Sequence, residues 1–255
     1  MSGKVYLVGA GPGAPDLLTL RAAKLLAQAD VVFYDALVHP DTIALAERAE
    51  KIAVGKRCGK ASTAQRFINK RLVDAAQKYQ TVVRLKGGDP MLFGRAQEEI
   101  HALEDAGIEY QIVPGITAAL AASAELGISL TRRGLSRSVA FITPRVGPGE
   151  VENEWVQAAI AADTVALYMA SGEAEEISTR LIRAGKAGNT PIAVVENASL
   201  RSARIEFSTL ENLANTIAAL NLEGPALILL GEVYRQGAEF AVEETFAQVR
   251  LAAQS

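Results

Sequence analysis

Short apolar runs rich in β-branched residues alternate along this chain with longer segments whose apolar residues recur at helical spacing. The segment 17–26 shows the second pattern, because its leucines and alanines are spaced for one face of a helix. Such alternation predicts successive βα units and a mostly parallel sheet in the first half of the chain. The strands predicted there are 4–8, 31–34, 51–54, 81–85 and 110–113.

The same pattern restarts in the second half. An alanine-rich stretch, 116–126, follows Pro114-Gly115 and predicts a buried helix that links the two halves. A second helix is predicted over 173–184, where Gly185 provides a C-cap. The strands predicted in this half are 138–143, 164–169, 192–196, 204–208 and 226–230.

These elements predict two α/β domains. We expect an N-terminal domain at 1–115, a linker region at 116–137 and a C-terminal domain at 138–236. A length of 255 residues, of which 49% are hydrophobic, suffices for one large core or two modest ones. The tail, 237–255, is predicted to be a terminal helix and carries no candidate chemistry.

Charge and cysteine content narrow the partners and the compartment. Lys and Arg total 26 against 29 Asp and Glu, and a net charge of -3 predicts neither a nucleic acid nor a membrane partner. Cys58 is the only cysteine, which excludes an intramolecular disulfide and favours a reducing compartment. No apolar run reaches the ~18 residues of a membrane helix, and no long apolar signal region opens the chain, so we expect a soluble, cytoplasmic protein.

A glycine cluster follows the first predicted strand. Gly9, Gly11 and Ala14 fit the spacing G-x-G-x-x-G/A, and Asp35 ends the next strand, where a ribose-binding acid stands in dinucleotide-binding folds. This spacing supports an NAD-dependent dehydrogenase as one hypothesis. Pro12 and Pro15 oppose it, because each removes an N–H donor where a pyrophosphate would bind. A tight turn without a ligand is the structural alternative.

A second glycine cluster, Gly87-Gly88-Asp89-Pro90, follows a later strand. It offers bare backbone beside one carboxylate, which suits a ligand that has hydroxyl or ammonium donors and a flat ring. Asp89 before Pro90 also fits a simple turn. Both clusters lie where buried strands end, and this is where open α/β sheets bind ligands, so we expect a nucleotide-like ligand.

With these clusters, a set of motifs resembles the tetrapyrrole methylases, and most closely the uroporphyrinogen-III C-methyltransferases of siroheme, cobalamin and haem d1 biosynthesis. The matching segments are 5–13, 35–38, 55–57, 83–90, 93–95, 113–118, 168–169 and 225–226. The resemblance implies two mixed α/β domains with the cofactor cleft between them, and a homodimer. It also implies two methyl transfers from S-adenosyl-L-methionine to uroporphyrinogen III, which yield precorrin-2 and S-adenosyl-L-homocysteine.

The resemblance also implies which residues contact the cofactor, several of them through backbone groups. They are Pro12, Gly87, Gly88, Asp89, Thr117, Ala118, Met169, Ala198 and Ala226. Met169 has a second interpretation, because a methionine at a strand end often packs into the core. We expect Gly87→Val to abolish cofactor binding by filling the space that the glycine leaves.

The implied substrate carries many carboxylates and needs guanidinium groups to pair with them. We select Arg95, Arg133 and Glu98 as the candidate catalytic residues. Glu98 can orient Arg95 as an i, i+3 pair, and we interpret Arg95 as an electrostatic positioner because arginine stays protonated. We expect Arg133→Ala to spare cofactor binding and weaken substrate handling. Further basic candidates are Lys56, Arg57, Lys60, Arg132, Arg137 and Arg145.

Some segments depart from the family pattern and leave alternatives open. Residues 129–133 and 143–145 each lack a histidine that many members carry, and only His39 and His101 remain in the chain. We therefore expect no metal site. The departures keep open a methylase for a later precorrin, or a cofactor-binding protein without catalysis, besides the dehydrogenase.

Overall fold

The computed structural model describes residues 2–54, 61–147 and 154–238, with the side chains of helix 61–78 from residue 65 onward. The chain forms two compact units, residues 1–118 and 119–255. The candidates Lys56, Arg57, Cys58 and Lys60, and most of the predicted tail, lie outside the described residues. In the parts described, no helix is both long and apolar enough to cross a membrane.

The first unit is built on a sheet of five parallel strands in the order β3-β2-β4-β1-β5. The prediction of a parallel sheet in this half is therefore confirmed. The elements are β1 (Lys4–Gly9), α1 (Leu20–Gln28), β2 (Val31–Tyr34), α2 (Pro40–Ala44), β3 (Glu50–Ala53), α3 (Ala61–Lys78), β4 (Thr81–Lys86), α4 (Ala96–Asp105) and β5 (Tyr110–Val113).

Both faces of the inner strands are buried, which explains why β1 and β2 are nearly continuous apolar runs, whereas the edge strand β3 is largely exposed. On one face Leu7 packs with Leu72 of α3 and Leu103 of α4. On the other face Val8 packs with Leu26 of α1. Each of these side chains is at most 1% exposed, so the two helical layers fix the direction of the strands and hence the edge at which they end.

The second unit contains a mixed sheet in the order β6-β7-β10-β8-β9. Its elements are α5 (Ala118–Leu126, starting one residue before the division), β6 (Val139–Ile142), α6 (Trp155–Ala161), β7 (Thr164–Leu167), α7 (Ala174–Arg183), β8 (Pro191–Glu196), β9 (Arg204–Thr209), α8 (Leu213–Leu220) and β10 (Ala226–Gly231). Helix α5 lies within the predicted linker region. Gly185, with φ +100°, follows α7 as predicted for a C-cap.

The restarted βα pattern does not produce a second parallel sheet. Only β6 and β7 pair in parallel, whereas β10 pairs antiparallel with both β7 and β8, and β9 pairs antiparallel with β8. The connection 197–203 is too short for a parallel crossover, which needs about a dozen residues, so β8 and β9 form a hairpin-like pair. All ten predicted strands are present, and their ends differ from the predicted ones by at most two residues.

Candidate functional site

In the first unit, three strand-end loops are packed together through glycines. A Cβ atom on Gly9 would lie 2.6 Å from the Gly115 Cα atom and 2.8 Å from the Gly88 carbonyl oxygen. Gly11 and Gly88 exchange two backbone hydrogen bonds, of 3.2 and 2.7 Å. Gly9 and Gly115 are therefore needed for close backbone contact, and together with the hydrogen-bonded Gly11 and Gly88 they form what we call the glycine platform.

The Asp89 carboxylate holds the glycine platform together. Its Oδ2 atom accepts a hydrogen bond from the Gly115 N–H group at 2.8 Å, and its Oδ1 atom accepts one from the Met91 N–H group at 2.8 Å. The turn-forming role considered for Asp89 is thus present. Each carboxylate oxygen has a second lone pair, so the same side chain can also accept from a ligand.

The geometry of the first glycine cluster does not support the dehydrogenase hypothesis. In a dinucleotide-binding fold the glycine loop opens directly into a helix whose N–H groups face the pyrophosphate. Here α1 begins only at Leu20, and the Thr19 side chain caps it by accepting from the Ala22 N–H group at 3.1 Å. Asp35 accepts from the N–H groups of Leu37 (3.1 Å) and Gly87 (3.3 Å), so its carboxylate supports the second glycine cluster.

The two glycines of the second cluster face different surroundings, which corrects the expectation for Gly87→Val. A Cβ atom on Gly87 would lie 2.7 Å from the Leu37 Cβ atom, so a valine there strains the protein's own packing. Gly88 has φ +69°, and nothing lies within 4 Å of its Cβ position. Gly88 is therefore the residue whose added side chain would enter open space.

Three further predicted cofactor contacts belong to the same edge of the first unit. Pro12 follows Gly11 and is half-buried, as is Ala118, whereas Thr117 is only 8% exposed. Thr117 lies on the connection that follows β5, and Ala118 is the first residue of α5. The six first-unit candidates therefore all follow the carboxyl ends of β1, β4 and β5. These strands are neighbours in the sheet.

The second unit gathers its three cofactor candidates in the same way. Met169 comes two residues after β7, Ala198 two residues after β8, and Ala226 opens β10. Ile228 lies opposite Leu167 on β7, and Ala226 lies opposite Glu196 on β8, so the three positions share one edge of the sheet. Met169 has φ +54° and is 47% exposed, which argues against the interpretation that it packs into the core.

A buried carboxylate fixes the backbone at that edge. Glu196, 1% exposed, accepts hydrogen bonds from the N–H groups of Glu223 and Gly224, both at 2.6 Å, and from the Arg204 guanidinium. The hydrogen bond from Arg204 lowers the pKa of Glu196, and the two backbone N–H groups add to this, whereas burial opposes it. The carboxylate thus ties the end of β8 to the chain that leads into β10.

Arg95 and Glu98 form a two-point ion pair at the start of α4. The Arg95 Nε atom lies 2.6 Å from Glu98 Oε1, and the Arg95 Nη2 atom lies 2.8 Å from Glu98 Oε2. Arg95 has φ +55°, a conformation unusual for a residue with a side chain, and both side chains are close to half exposed. A guanidinium held in this way has a defined direction and remains open to solvent.

Arg133 lies in the second unit, at the tip of a tight turn. Arg132 and Ser136 close this turn with two backbone hydrogen bonds, of 2.9 and 2.8 Å. The side chain of Arg133 is exposed, as are those of Arg132, Arg137 and Arg145. The described hydrogen bonds therefore place Arg133 on its own turn.

A group of buried charges, which the sequence pattern did not indicate as functional, adjoins the second glycine cluster. Glu99 of α4 is fully buried, and its Oε1 atom accepts from Arg84 Nε (3.1 Å), Lys86 Nζ (3.0 Å) and Gln65 Nε2 (3.2 Å). Burial lowers the pKa of Lys86, and the charge of Arg84 lowers it further, whereas Glu99 opposes both. The available signal was the presence of two charged residues, two positions apart, in the otherwise apolar strand β4.

The comparisons with known proteins agree with this geometry. The family model described as Tetrapyrrole (Corrin/Porphyrin) Methylases matches residues 4–214. The chain therefore belongs to the tetrapyrrole methylase family, and its mixed α/β units have that fold.

Individual relatives are similar over most of this chain. A siroheme synthase of Pseudomonas putida is 47% identical over 232 residues, which are 91% of this chain and 50% of that protein. The chain thus spans about half the length of the curated relatives it matches. A uroporphyrin-III C-methyl transferase from Thermus thermophilus, solved with S-adenyl homocysteine, is 40% identical with a TM-score of 0.79, covering 91% of this chain and 99% of that one. A cobalt precorrin-4 methyltransferase is 31% identical with a TM-score of 0.77, covering 90% and 95% respectively.

Proposed function

We propose that this chain transfers methyl groups from S-adenosyl-L-methionine to two ring carbons of uroporphyrinogen III, which gives precorrin-2. The observation that carries the proposal is an open, backbone-lined position at Gly88 in a chain of the tetrapyrrole methylase family. Support for the substrate comes from the Thermus thermophilus enzyme, whose identity of 40% exceeds the 31% of the cobalt precorrin-4 methyltransferase.

The residues at the two sheet edges fit the proposed cofactor. In the first unit we assign the contacts to Pro12, Gly87, Gly88, Asp89, Thr117 and Ala118, and in the second to Met169, Ala198 and Ala226. The open position at Gly88 permits close approach of a ligand, and the Asp89 carboxylate can accept from hydroxyl or ammonium groups. The exposed thioether of Met169 offers a soft apolar contact.

The cofactor, when bound, supplies a methyl group on a sulfonium centre that is already activated for transfer. The protein must then align the acceptor carbon and exclude water, and no side chain has to act as a nucleophile. Arg95 stays protonated, and Glu98 holds its direction, so we assign it the binding of a substrate carboxylate next to the reacting ring. Arg133, exposed on its turn, is assigned to a second carboxylate.

We also propose that the protein acts in the cytoplasm as a homodimer. The single cysteine supports a reducing compartment, and the net charge of -3 supports a small-molecule substrate over a nucleic acid. Sedimentation analysis of the purified protein tests the dimer.

The proposed reaction is tested by anaerobic incubation of the purified protein with freshly generated uroporphyrinogen III and labelled S-adenosylmethionine. We expect two methyl groups on the macrocycle by mass spectrometry and two molecules of S-adenosylhomocysteine for each product. Binding of S-adenosylhomocysteine without methyl incorporation would instead point to another acceptor, and a later precorrin is then the compound to offer.

A further inference from the structure

The loop between β4 and α4 is closed at its base by the buried ion pair of Lys86 and Glu99. Lys86 is the last residue of β4, and Glu99 lies in the first turn of α4. The Lys86 Nζ atom is 3.0 Å from the Glu99 Oε1 atom, and both side chains are at most 4% exposed. This pair therefore joins the two ends of the segment 87–95, which we call the β4–α4 loop.

The β4–α4 loop lies directly on the Lys86 side chain. A Cβ atom on Gly94 would lie 3.2 Å from the Lys86 Cε atom and 2.6 Å from the Pro90 carbonyl oxygen. Phe93 and Arg95, on either side of Gly94, both have positive φ values, of 53° and 55°. Such backbone conformations persist only where the surrounding structure enforces them, and the Lys86 stem is part of that surrounding.

The same carboxylate reaches the other side of the loop through Arg84. Glu99 Oε1 accepts from Arg84 Nε at 3.1 Å, and the Arg84 Nη1 atom lies 3.6 Å from Asp35 Oδ2. Asp35 in turn accepts from the Gly87 N–H group at 3.3 Å. Glu99 is thus connected both to Lys86 and, through Arg84 and Asp35, to the first residue of the loop.

Burial of the charged groups in this cluster costs free energy of folding. Apolar side chains of the same volume often stabilise a core as well as a buried ion pair, or better. The Glu99 Oε2 atom is buried and has no hydrogen-bond partner among the described residues, which adds to the cost. The residues of α3 and α4 that pack against this face of the sheet, among them Leu72 and Leu103, are mostly apolar, and the buried Gln65 amide joins the cluster. Stability alone therefore does not account for charges at this position.

We propose that Lys86 and Glu99 are a positioning pair that fixes the β4–α4 loop, and with it Gly88, Asp89 and Arg95, in the geometry required for catalysis. The inference rests on the proposed function as far as catalysis is concerned. The positioning itself is a property of the loop and can be measured without substrate.

The test uses Glu99→Gln, Lys86→Met and the double variant of the full chain. The double variant removes one positive and one negative charge, so the net charge of the cluster is that of the wild type. The amide oxygen introduced by Glu99→Gln can still accept a hydrogen bond from Arg84. Glu109→Gln is the control, because it breaks the exposed ion pair of Lys4 and Glu109 in the same unit. Each protein is assayed for melting temperature, hydrogen exchange of residues 87–95, and affinity for S-adenosylhomocysteine.

We expect both single variants to exchange the loop amides faster and to bind S-adenosylhomocysteine roughly tenfold or more weakly, because small displacements of a binding group are costly. The double variant should regain melting temperature but neither loop protection nor affinity. The inference is overturned if loop exchange and affinity match those of Glu109→Gln, or if the double variant recovers them together with stability.

Each result remains decisive if a variant fails to fold or if the proposed function is wrong. Should Glu99→Gln fail to fold, Lys86→Met and the double variant give the same comparison. Should the wild type not methylate uroporphyrinogen III, the proposed reaction fails, and the exchange of the loop amides still decides whether the pair holds the loop.

Discussion

At the scale of single residues, the candidate site depends on left-handed backbone. Gly88 adopts its φ of +69° without a steric penalty, whereas Arg95 and Met169 adopt values of +55° and +54° despite their side chains. Each such conformation costs an L-residue about 1–2 kcal/mol. Gly88 and Met169 lie two residues beyond strand ends and Arg95 directly precedes α4, and strained residues at such connections are typical of binding sites.

Gly88→Ala tests whether the open space at Gly88 is needed for ligand binding, apart from the effect of its left-handed backbone conformation on stability. Gly107 is a matched control, since its φ of +66° is nearly the same and its Cβ position is also open. We expect both alanine variants to lose about 1 kcal/mol of stability, and only Gly88→Ala to weaken S-adenosylhomocysteine binding, by about tenfold or more. Calorimetric titration and thermal melts measure the two effects. Equal affinities of the two variants would remove Gly88 from the proposed cofactor contacts.

Glu98→Gln should leave Arg95 charged but poorly oriented. Because the pair is exposed, we expect a stability change of less than about 1 kcal/mol, an unchanged affinity for S-adenosylhomocysteine, and a fall in kcat of about tenfold or more. Glu232→Gln is the control, since Glu232 and Arg235 form a similar exposed i, i+3 pair. Rates are compared in the anaerobic methyl-transfer assay. A rate equal to that of the control would exclude an orienting role for Glu98.

At the scale of elements, connections at the strand ends carry the candidate site, and a half-buried and a buried carboxylate hold these connections. Asp89 ties the loop after β4 to the loop after β5. Glu196 ties the end of β8 to the residues that precede β10. In both cases a carboxylate accepts backbone N–H groups of a neighbouring segment, which leaves few of those groups unsatisfied in an irregular region.

Replacement of Glu196 should change the pH dependence of stability. Its pKa in the folded protein lies below the ordinary value of 4.5, so its contribution is present above that value and is lost as the pH falls through the folded pKa. We expect Glu196→Gln to lower the melting temperature at pH 7 and to flatten its decline below about pH 4.5. Thermal melts across pH, with the exposed Glu206→Gln as control, measure this. If the melting temperatures of wild type and Glu196→Gln depended on pH in the same way, the stabilising role assigned to the Glu196 carboxylate would be contradicted.

At the scale of the whole molecule, two different sheets present their candidate contacts in the same manner. The first unit uses the carboxyl ends of three parallel strands, and the second combines two strand ends with the start of an antiparallel strand. In both units, helices pack on the sheet faces, and the candidate contacts lie on or next to the connections at the strand ends. Membership of the tetrapyrrole methylase family agrees with a small-molecule site at these edges.

Ligand-dependent stability tests the proposed cofactor for the intact chain. A ligand that binds only the folded state raises the melting temperature. At a hundredfold excess over its Kd, the free energy of unfolding increases by about 2.7 kcal/mol. We expect a clear shift with S-adenosylhomocysteine and none with NAD, because α1 begins too late to present its N–H groups to a pyrophosphate. A shift with NAD alone would restore the dehydrogenase hypothesis.

The sequence by itself determined the strands, several turns and the family. Apolar runs must be buried, and short runs rich in β-branched residues favour strands, so all ten strands appear within two residues of their predicted bounds. The glycine clusters could also be recognised in the sequence, because close backbone approach excludes any side chain at Gly9 and Gly115. The i, i+3 spacing of Arg95 and Glu98 also predicted their pairing, although Arg95 precedes α4 in a left-handed conformation and is not part of the helix.

Tertiary structure decided what depends on neighbours distant along the chain. Strand β10 lies between β7 and β8 and is antiparallel to both. Packing decides this order and direction, and the apolar periodicity of the sequence does not indicate either. The direction of the missing side chain at Gly87, towards Leu37, depends on a residue far away in sequence. Burial of Glu99 with Arg84 and Lys86 is likewise a long-range event, since their charges become compatible with a core only when the helix and the strand bring them together.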